Sequence, residues 1–199
     1  MISSLVGLLV MLNPFALFLY LSPIMEDLQH KDFVRVLFKA SFISFVVLFV
    51  FYASGLFLFE KVFLIDFESF RIFGGIVIFS FAYFFIVKGQ RALIHMKESL
   101  DDLASEIALP FMVGAGMISL TILLRLNFSF TQGLLGLLGV IIANFAILMV
   151  FKWIRDTIAK KKFKMAFDKN MEMLLRINGF FVGAIGIDMI ITGVMRVFF

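Results

Sequence analysis

With 199 residues, 62% hydrophobic and 16% charged, and a mean hydropathy of +1.08, the chain is far more apolar than soluble domains, whose apolar usage is roughly 45–50%. A soluble protein is thereby excluded and an all-α integral membrane protein expected, and the lack of cysteine excludes disulfide and thiolate chemistry. The net charge is +4, but its basic residues lie between apolar runs where membrane topology puts them, so no nucleic-acid partner is expected.

Six apolar stretches meet or approach the roughly 17–25 residues of a spanning helix. The first, Ile2 to Met25, carries no charge. It lacks the basic n-region and small-residue cleavage site of a signal peptide, so it reads as a helix. Asn13-Pro14 interrupts it, because proline removes an amide donor and clashes with the preceding turn, and Ser22-Pro23 is expected to close it. The second, Ala40 to Phe59, is equally uncharged. The third, Ile72 to Val87, is short, but Arg71 and Lys88 flank it and carry their charges to the interfaces. The fourth, Ile107 to Leu124, contains Pro110 and Gly114-Ala115-Gly116. The fifth, Leu126 to Phe151, contains Asn144, expected to bridge helices. The sixth, Ile177 to Val197, contains Asp188, the one carboxylate well inside a span. With flanking residues the spans run over about 2–25, 40–59, 71–88, 106–125, 130–152 and 175–197. His30 and His95 are expected in loops, and no His/Asp/Glu group has metal-ligand spacing, so no metal site is expected.

Alternating the sides of these spans puts fourteen of the 18 Lys and Arg on one side, including Lys31, Arg35, Lys39, Lys152, Arg155 and Lys160 to Lys164. Only Lys61, Arg71, Arg125 and Arg196 fall on the other. The positive-inside rule makes the rich side cytoplasmic and places both termini outside a multi-pass cell membrane protein. The basic run 160–164 reads as a topogenic, lipid-anchoring loop. Asn127-Phe128-Ser129 matches the glycosylation pattern by letter in a very short outer loop, where chance explains it.

Arg71-Ile72-Phe73-Gly74 in the third span matches Arg176-Ile177-Asn178-Gly179 in the sixth. The two spans run in opposite directions, so residues 1–99 and 100–199 are expected to be related three-helix repeats of inverted topology. The interruptions at Asn13-Pro14 and Gly114-Ala115-Gly116 then fall in the first helix of each repeat and face one another near the midplane. The expected fold is six transmembrane helices in two inverted repeats, with helices 1 and 4 broken.

Broken helices at membrane depth survive only where they face protein or a polar cavity. Carbonyls freed at Pro14 attract cations, and Asn13 offers a donor and an acceptor there; satisfying the local backbone is its alternative role. Gly114, Ala115 and Gly116 permit unwinding, and the half-helix that follows, through Ser119, presents amides and a positive dipole end suited to a carboxylate. Tight helix packing is the alternative for the glycines. Phe15 either walls the pocket or packs elsewhere, and Asp188 pairs with a substrate ammonium, carries a coupling proton, or bonds to Asn144. The candidate substrate-binding set is Asn13, Pro14, Phe15, Gly114, Ala115, Gly116, Ser119 and Asp188. It describes an alternating-access carrier for a small zwitterion. A channel or ion exporter would need carboxylate rings, of which only Asp188 is present, and a non-transporting scaffold would need both breaks to be continuous helix. An enzyme is not expected, since Ser119 has no intramembrane His or Lys as base.

Asn13-Pro14-Phe15, Arg71-x-x-Gly74-Gly75, the string from Glu106 to Ser119 and Arg176-x-x-Gly179 resemble the MarC family, which includes the SnatA-type transporters of small neutral amino acids. The resemblance covers nearly the whole chain and implies a six-helix inner-membrane protein that moves glycine, alanine and similar substrates without a cofactor. Coupling to H+ or Na+ and assembly into a homo-oligomer are left open by it. Two departures stand out. The family commonly has Gly-Pro-Gly where this chain has Gly114-Ala115-Gly116, and an uncharged amide where this chain has Asp188.

Overall fold

The computed structural model describes residues 2–89, 104 and 107–198, with the side chains at 23, 24, 26, 27 and 109–111 outside that description. His95, Arg91 and Lys97 lie outside the described residues. Because lipid offers no partner to an open peptide group, the apolar runs form helices. In chain order they are α1 (Ile2–Leu12), α2 (Pro14–Asp27), α3 (His30–Phe57) continued by a π-helical turn Leu58–Val62, α4 (Phe67–Lys88), a π-helical segment Ile107–Met112, α5 (Ala115–Asn127), α6 (Phe130–Thr157) and α7 (Lys161–Phe198). Among the described residues, five stretches are long and apolar enough to cross a membrane: Ile2–Ser22, His30–Val62, Phe67–Lys88, Phe130–Thr157 and Lys161–Phe198. The expected fourth span, 106–125, is divided at Gly114, within the stretch where a break was expected, into the π-helical segment and the short α5.

Three expectations are corrected. Pro23 does not close the first helical stretch, because α2 runs through it to Asp27. Every residue from Ala16 to Ser22 is buried, so surrounding protein holds the helix past its missing amide, and the Ser22 hydroxyl donates to the Phe18 carbonyl at 3.1 Å. His30 opens α3 and does not sit in a loop. The basic run placed between the last two spans is mostly helical, since α7 begins at Lys161 and has 38 residues. At ~1.5 Å per residue that is about 57 Å, well beyond a hydrocarbon core of ~30 Å. Its charged beginning therefore projects past the apolar zone. There Arg155 of α6 grips Asp168 of α7 through Nε at 3.1 Å and Nη2 at 3.3 Å. Lys152, almost fully buried, donates to Asp156 at 2.7 Å and lies over the Phe33 ring.

The most extensive helix pair is α4 with α7. Small residues let the two backbones approach, as membrane helices require in the absence of a hydrophobic drive to associate. At the crossing a methyl group on Gly75 would lie 2.6 Å from the Gly186 carbonyl oxygen, and one on Gly186 would lie 2.9 Å from that of Gly75. Toward the two ends, Gly193 faces Ile72 and the Glu68 carbonyl, whereas Gly89 faces Arg176 and Glu172. These two environments correspond residue for residue at a spacing of 104, since Glu68, Ile72 and Gly89 map onto Glu172, Arg176 and Gly193. That register differs by one from the Arg71/Arg176 match. The two arginines are also held differently: Arg71 points back to Glu68, three residues earlier, and Arg176 to Glu172, four earlier.

A second correspondence relates α3 and α6. Both have 28 residues, and at a spacing of 100 they bury the same positions: Leu37 with Leu137, Ser44 with Asn144, Leu48 with Leu148 and Tyr52 with Lys152. Contacts between the remaining elements cross over. The π-helical segment and α5 pack on α3, while α1 and α2 pack on α6; α5 also lies against α4, and α2 against α7. The central core gathers around α2, whose Leu17, Phe18, Leu19 and Leu21 are buried on all sides.

Candidate functional site

Asn13 alone separates α1 from α2 and takes φ +48°, a left-handed conformation that asparagine tolerates better than most residues. Its amide donates to the Leu9 and Val10 carbonyls, both at 3.2 Å, and so closes α1. Its side-chain Oδ1 accepts from the Ala16 amide at 3.1 Å, the N-cap bond of α2. Pro14 occupies the first helical position, where its missing donor costs nothing. Thus half of the Asn13 amide satisfies the local backbone. The other half, Nδ2, is buried and has no partner among the described residues. The Val10 carbonyl is also bonded from outside, by Asn178 Nδ2 of α7 at 3.1 Å.

The second interruption falls at Gly114, the residue before α5, with extended backbone and no side chain to cap the helix. Among the described residues no side chain caps the amides of the first turn of α5, and the positive end of its dipole faces whatever lies in front. Pro110 lies in the preceding π-helical segment, and its side chain is outside the described residues.

Contacts with α4 bring the two interruptions together. Gly116 packs against Ile78 of α4 and against Met11, two residues before Asn13. Gly74 of α4 faces the Ser119 hydroxyl and the Ala115 carbonyl, at 3.2 and 3.4 Å from where its Cβ would be. Ser119 is fully buried and its Oγ has no partner among the described residues. On α6, which packs on α1 and α2, Asn144 lies between Gly136, which faces Leu5, and Phe151, which meets Phe15 and Phe18. It is fully buried, and both its Oδ1 and its Nδ2 are unpartnered among the described residues. Among the described residues Asn144 does not make the bond between helices expected of it; Asn178 makes that kind of bond, and the sequence match that included Asn178 gave no sign of it.

Two candidates fall apart from this cluster. Phe15 stacks on Phe151 at 5.8 Å between ring centroids, on the α6 side. Asp188 is exposed on α7 and lines a cavity of about 400 Å³. Arg71, Ser3, Ser4 and Asn127 line the same cavity, as do Gly7 and Leu120 from the helices that carry the interruptions. Arg71 is the basic residue at the depth of Asp188 that sequence reasoning did not supply. Its side chain is buried, with Nη1 3.5 Å from Glu68 and Nε unpartnered among the described residues. At the opposite end of the α4–α7 pair, Arg176 is engaged fully, donating to the Ile86 carbonyl and to Glu172, both at 2.9 Å. Among the described residues no group of three or more His, Asp or Glu side chains is placed to hold a metal.

A family model described as MarC family integral membrane protein matches residues 1–198. The chain belongs to the MarC family. As a MarC protein it is a non-catalytic, multi-pass membrane protein of a family associated with transport. It is similar to the UPF0056 membrane protein PH0214 of Pyrococcus horikoshii, with 26% identity over 193 residues that cover 96% of this chain and 92% of the relative. No solved structure matches it.

Proposed function

We propose that this MarC protein is a secondary carrier of small neutral amino acids such as glycine and alanine, working by alternating access with substrate bound near the midplane between the two interruptions. The observation that carries this reading is the meeting of two unwound backbone segments with unpartnered polar atoms, Asn13 Nδ2, Ser119 Oγ and the Asn144 amide, on otherwise apolar helices. Buried polar groups without partners cost about 1–3 kcal/mol each, and a polar ligand that satisfies them recovers that cost. The uncapped start of α5 at Gly114, Ala115 and Gly116 suits the carboxylate, and the amide oxygen of Asn144 suits the ammonium. Gly74 and Gly116 are tightly faced, which leaves little room for a side chain and favours the smallest amino acids.

The inverted-repeat architecture that alternating access uses is supported by the matching burial of α3 and α6, the paired environments of Gly89 and Gly193, and the crossed packing of the first helical stretches. In this reading the end that carries Arg71, Asp188 and the N-terminus of α1 faces outward, in keeping with its few basic residues. A cavity at the outer end together with an engaged Arg176 at the inner end supports an outward-facing state.

Thermal unfolding of the purified full chain against each of the twenty amino acids tests the substrate class. Binding at about 100 times Kd adds about 2.7 kcal/mol, which for a chain of this size raises Tm by roughly 5–10 °C at about 2–4 °C per kcal/mol. Glycine and alanine are expected to give such shifts and lysine and glutamate none. Equal shifts from lysine or glutamate would remove the zwitterion model.

A further inference from the structure

Resting on the carrier reading, we propose that the cavity between Arg71 and Asp188 is a second, outer binding site. There an incoming zwitterionic amino acid is held by its carboxylate on Arg71 and by its ammonium on Asp188 before it descends to the interruptions.

The cavity of about 400 Å³ lies within the ~300–1,000 Å³ of small-ligand pockets. Its two charged side chains come from different helices, Arg71 from α4 and Asp188 from α7. The ion pair of Arg71 is with Glu68, at a long 3.5 Å, not with Asp188. Glu68 is in turn shared with Arg196, at 3.2 Å. Arg71 is only 6% exposed, so its Nε, unpartnered among the described residues, is a buried cationic donor. A guanidinium recognises a carboxylate through two parallel N–H groups, and Nε is one of such a pair. A ligand that carries an ammonium and a carboxylate on one α-carbon relieves the donor and the carboxylate together, which a simple anion or cation does not.

The rest of the wall fits a passage to the deeper site. Leu120 follows Ser119 directly, and Gly74 is one turn along α4 from Arg71 and packs on Ser119 and Ala115. Gly7 lies six residues before Asn13, about 9 Å along a helix. The same two helices therefore line the outer cavity and reach the interruptions, and a carboxylate released by Arg71 has the uncapped start of α5 as its next partner.

The test uses the full chain in proteoliposomes and three probes: glycine, glycinamide, which lacks the carboxylate charge, and glycolate, which lacks the ammonium. Half-saturation for glycine uptake and inhibition by the other two are measured for the wild type, Arg71→Gln, Arg71→Lys and Asp188→Asn, with thermal stabilisation by each probe as a transport-free readout. Arg71→Gln is expected to raise half-saturation for glycine about tenfold or more, the loss of a charge-assisted hydrogen bond, with glycinamide unaffected and Arg71→Lys partly restoring affinity. Asp188→Asn is expected to weaken glycine and leave glycolate unaffected. Since Asp188 is exposed, that variant keeps the test decisive even where Arg71→Gln fails to fold. Uptake by the wild type without this ligand-specific pattern overturns the outer site alone. Stabilisation with the pattern but without uptake supports the site and overturns the carrier, and absence of both uptake and stabilisation overturns both.

Discussion

Gly75→Ala adds one methyl group at the point where α4 and α7 come closest. The new Cβ would lie 2.6 Å from the Gly186 carbonyl oxygen, 2.8 Å from Ile190 Cγ1 and 3.1 Å from the Ile190 amide nitrogen. The isoleucine can rotate, but the other two atoms are backbone. The helices must therefore part by about 0.8 Å, the difference between 2.6 Å and an ordinary contact of 3.4 Å. Overpacking of this kind costs about 1–3 kcal/mol, and the separation also weakens dispersion along the pair, which is what holds membrane helices together. Alanine in a helix returns up to about 1 kcal/mol over glycine, so a control with the same propensity gain is needed. Gly139 supplies it, because nothing lies within 4 Å of a Cβ there. Thermal unfolding of the two variants in one detergent isolates the crossing, and Gly75→Ala is expected to fall below Gly139→Ala by the full steric cost, several degrees in Tm at about 2–4 °C per kcal/mol. Equal stability of the two would refute the close packing of α4 on α7.

Ser119→Ala removes a buried hydroxyl that has no partner, so stability is expected to hold or rise by about 1 kcal/mol while glycine uptake falls roughly 2–10-fold; parallel losses of stability and uptake would make Ser119 a packing residue. Asn13→Gly keeps the φ of +48° and loses only the cap, a few tenths of a kcal/mol, whereas Asn13→Ala adds about 1 kcal/mol for the cap and about 1–2 for the left-handed backbone. Both variants lose Nδ2, so uptake should fall equally in the two despite their different Tm. Gly89→Ala places a Cβ against Glu172 and Arg176 at φ +55°, and should cost about 1–3 kcal/mol and loosen the Arg176 latch, read as faster protease cleavage near residue 89.

Much of this was legible in the residues, for identifiable reasons. Asn13-Pro14 is a local signal: a residue that tolerates positive φ and caps a helix, then one whose missing donor belongs at the first helical position. Gly114 ahead of a short helical run is the same kind of signal. Pro23 misled because the rule against helical geometry before proline is local, while the burial that overrides it is tertiary. The bond from Asn178 to Val10, the burial of the unpartnered Asn144 amide and the placing of Arg71 and Asp188 around one cavity depend on which helix faces meet, and no single helix encodes that.

In the proposed mechanism the two facing interruptions carry a small neutral amino acid across the membrane. Time-resolved uptake of labelled glycine into proteoliposomes containing the full chain tests it most directly. Saturable uptake, competed by unlabelled alanine and not by lysine or glutamate, and sharply reduced in Asn13→Gly, is the predicted result. Uptake no greater than in protein-free liposomes, or uptake indifferent to Asn13, would contradict it.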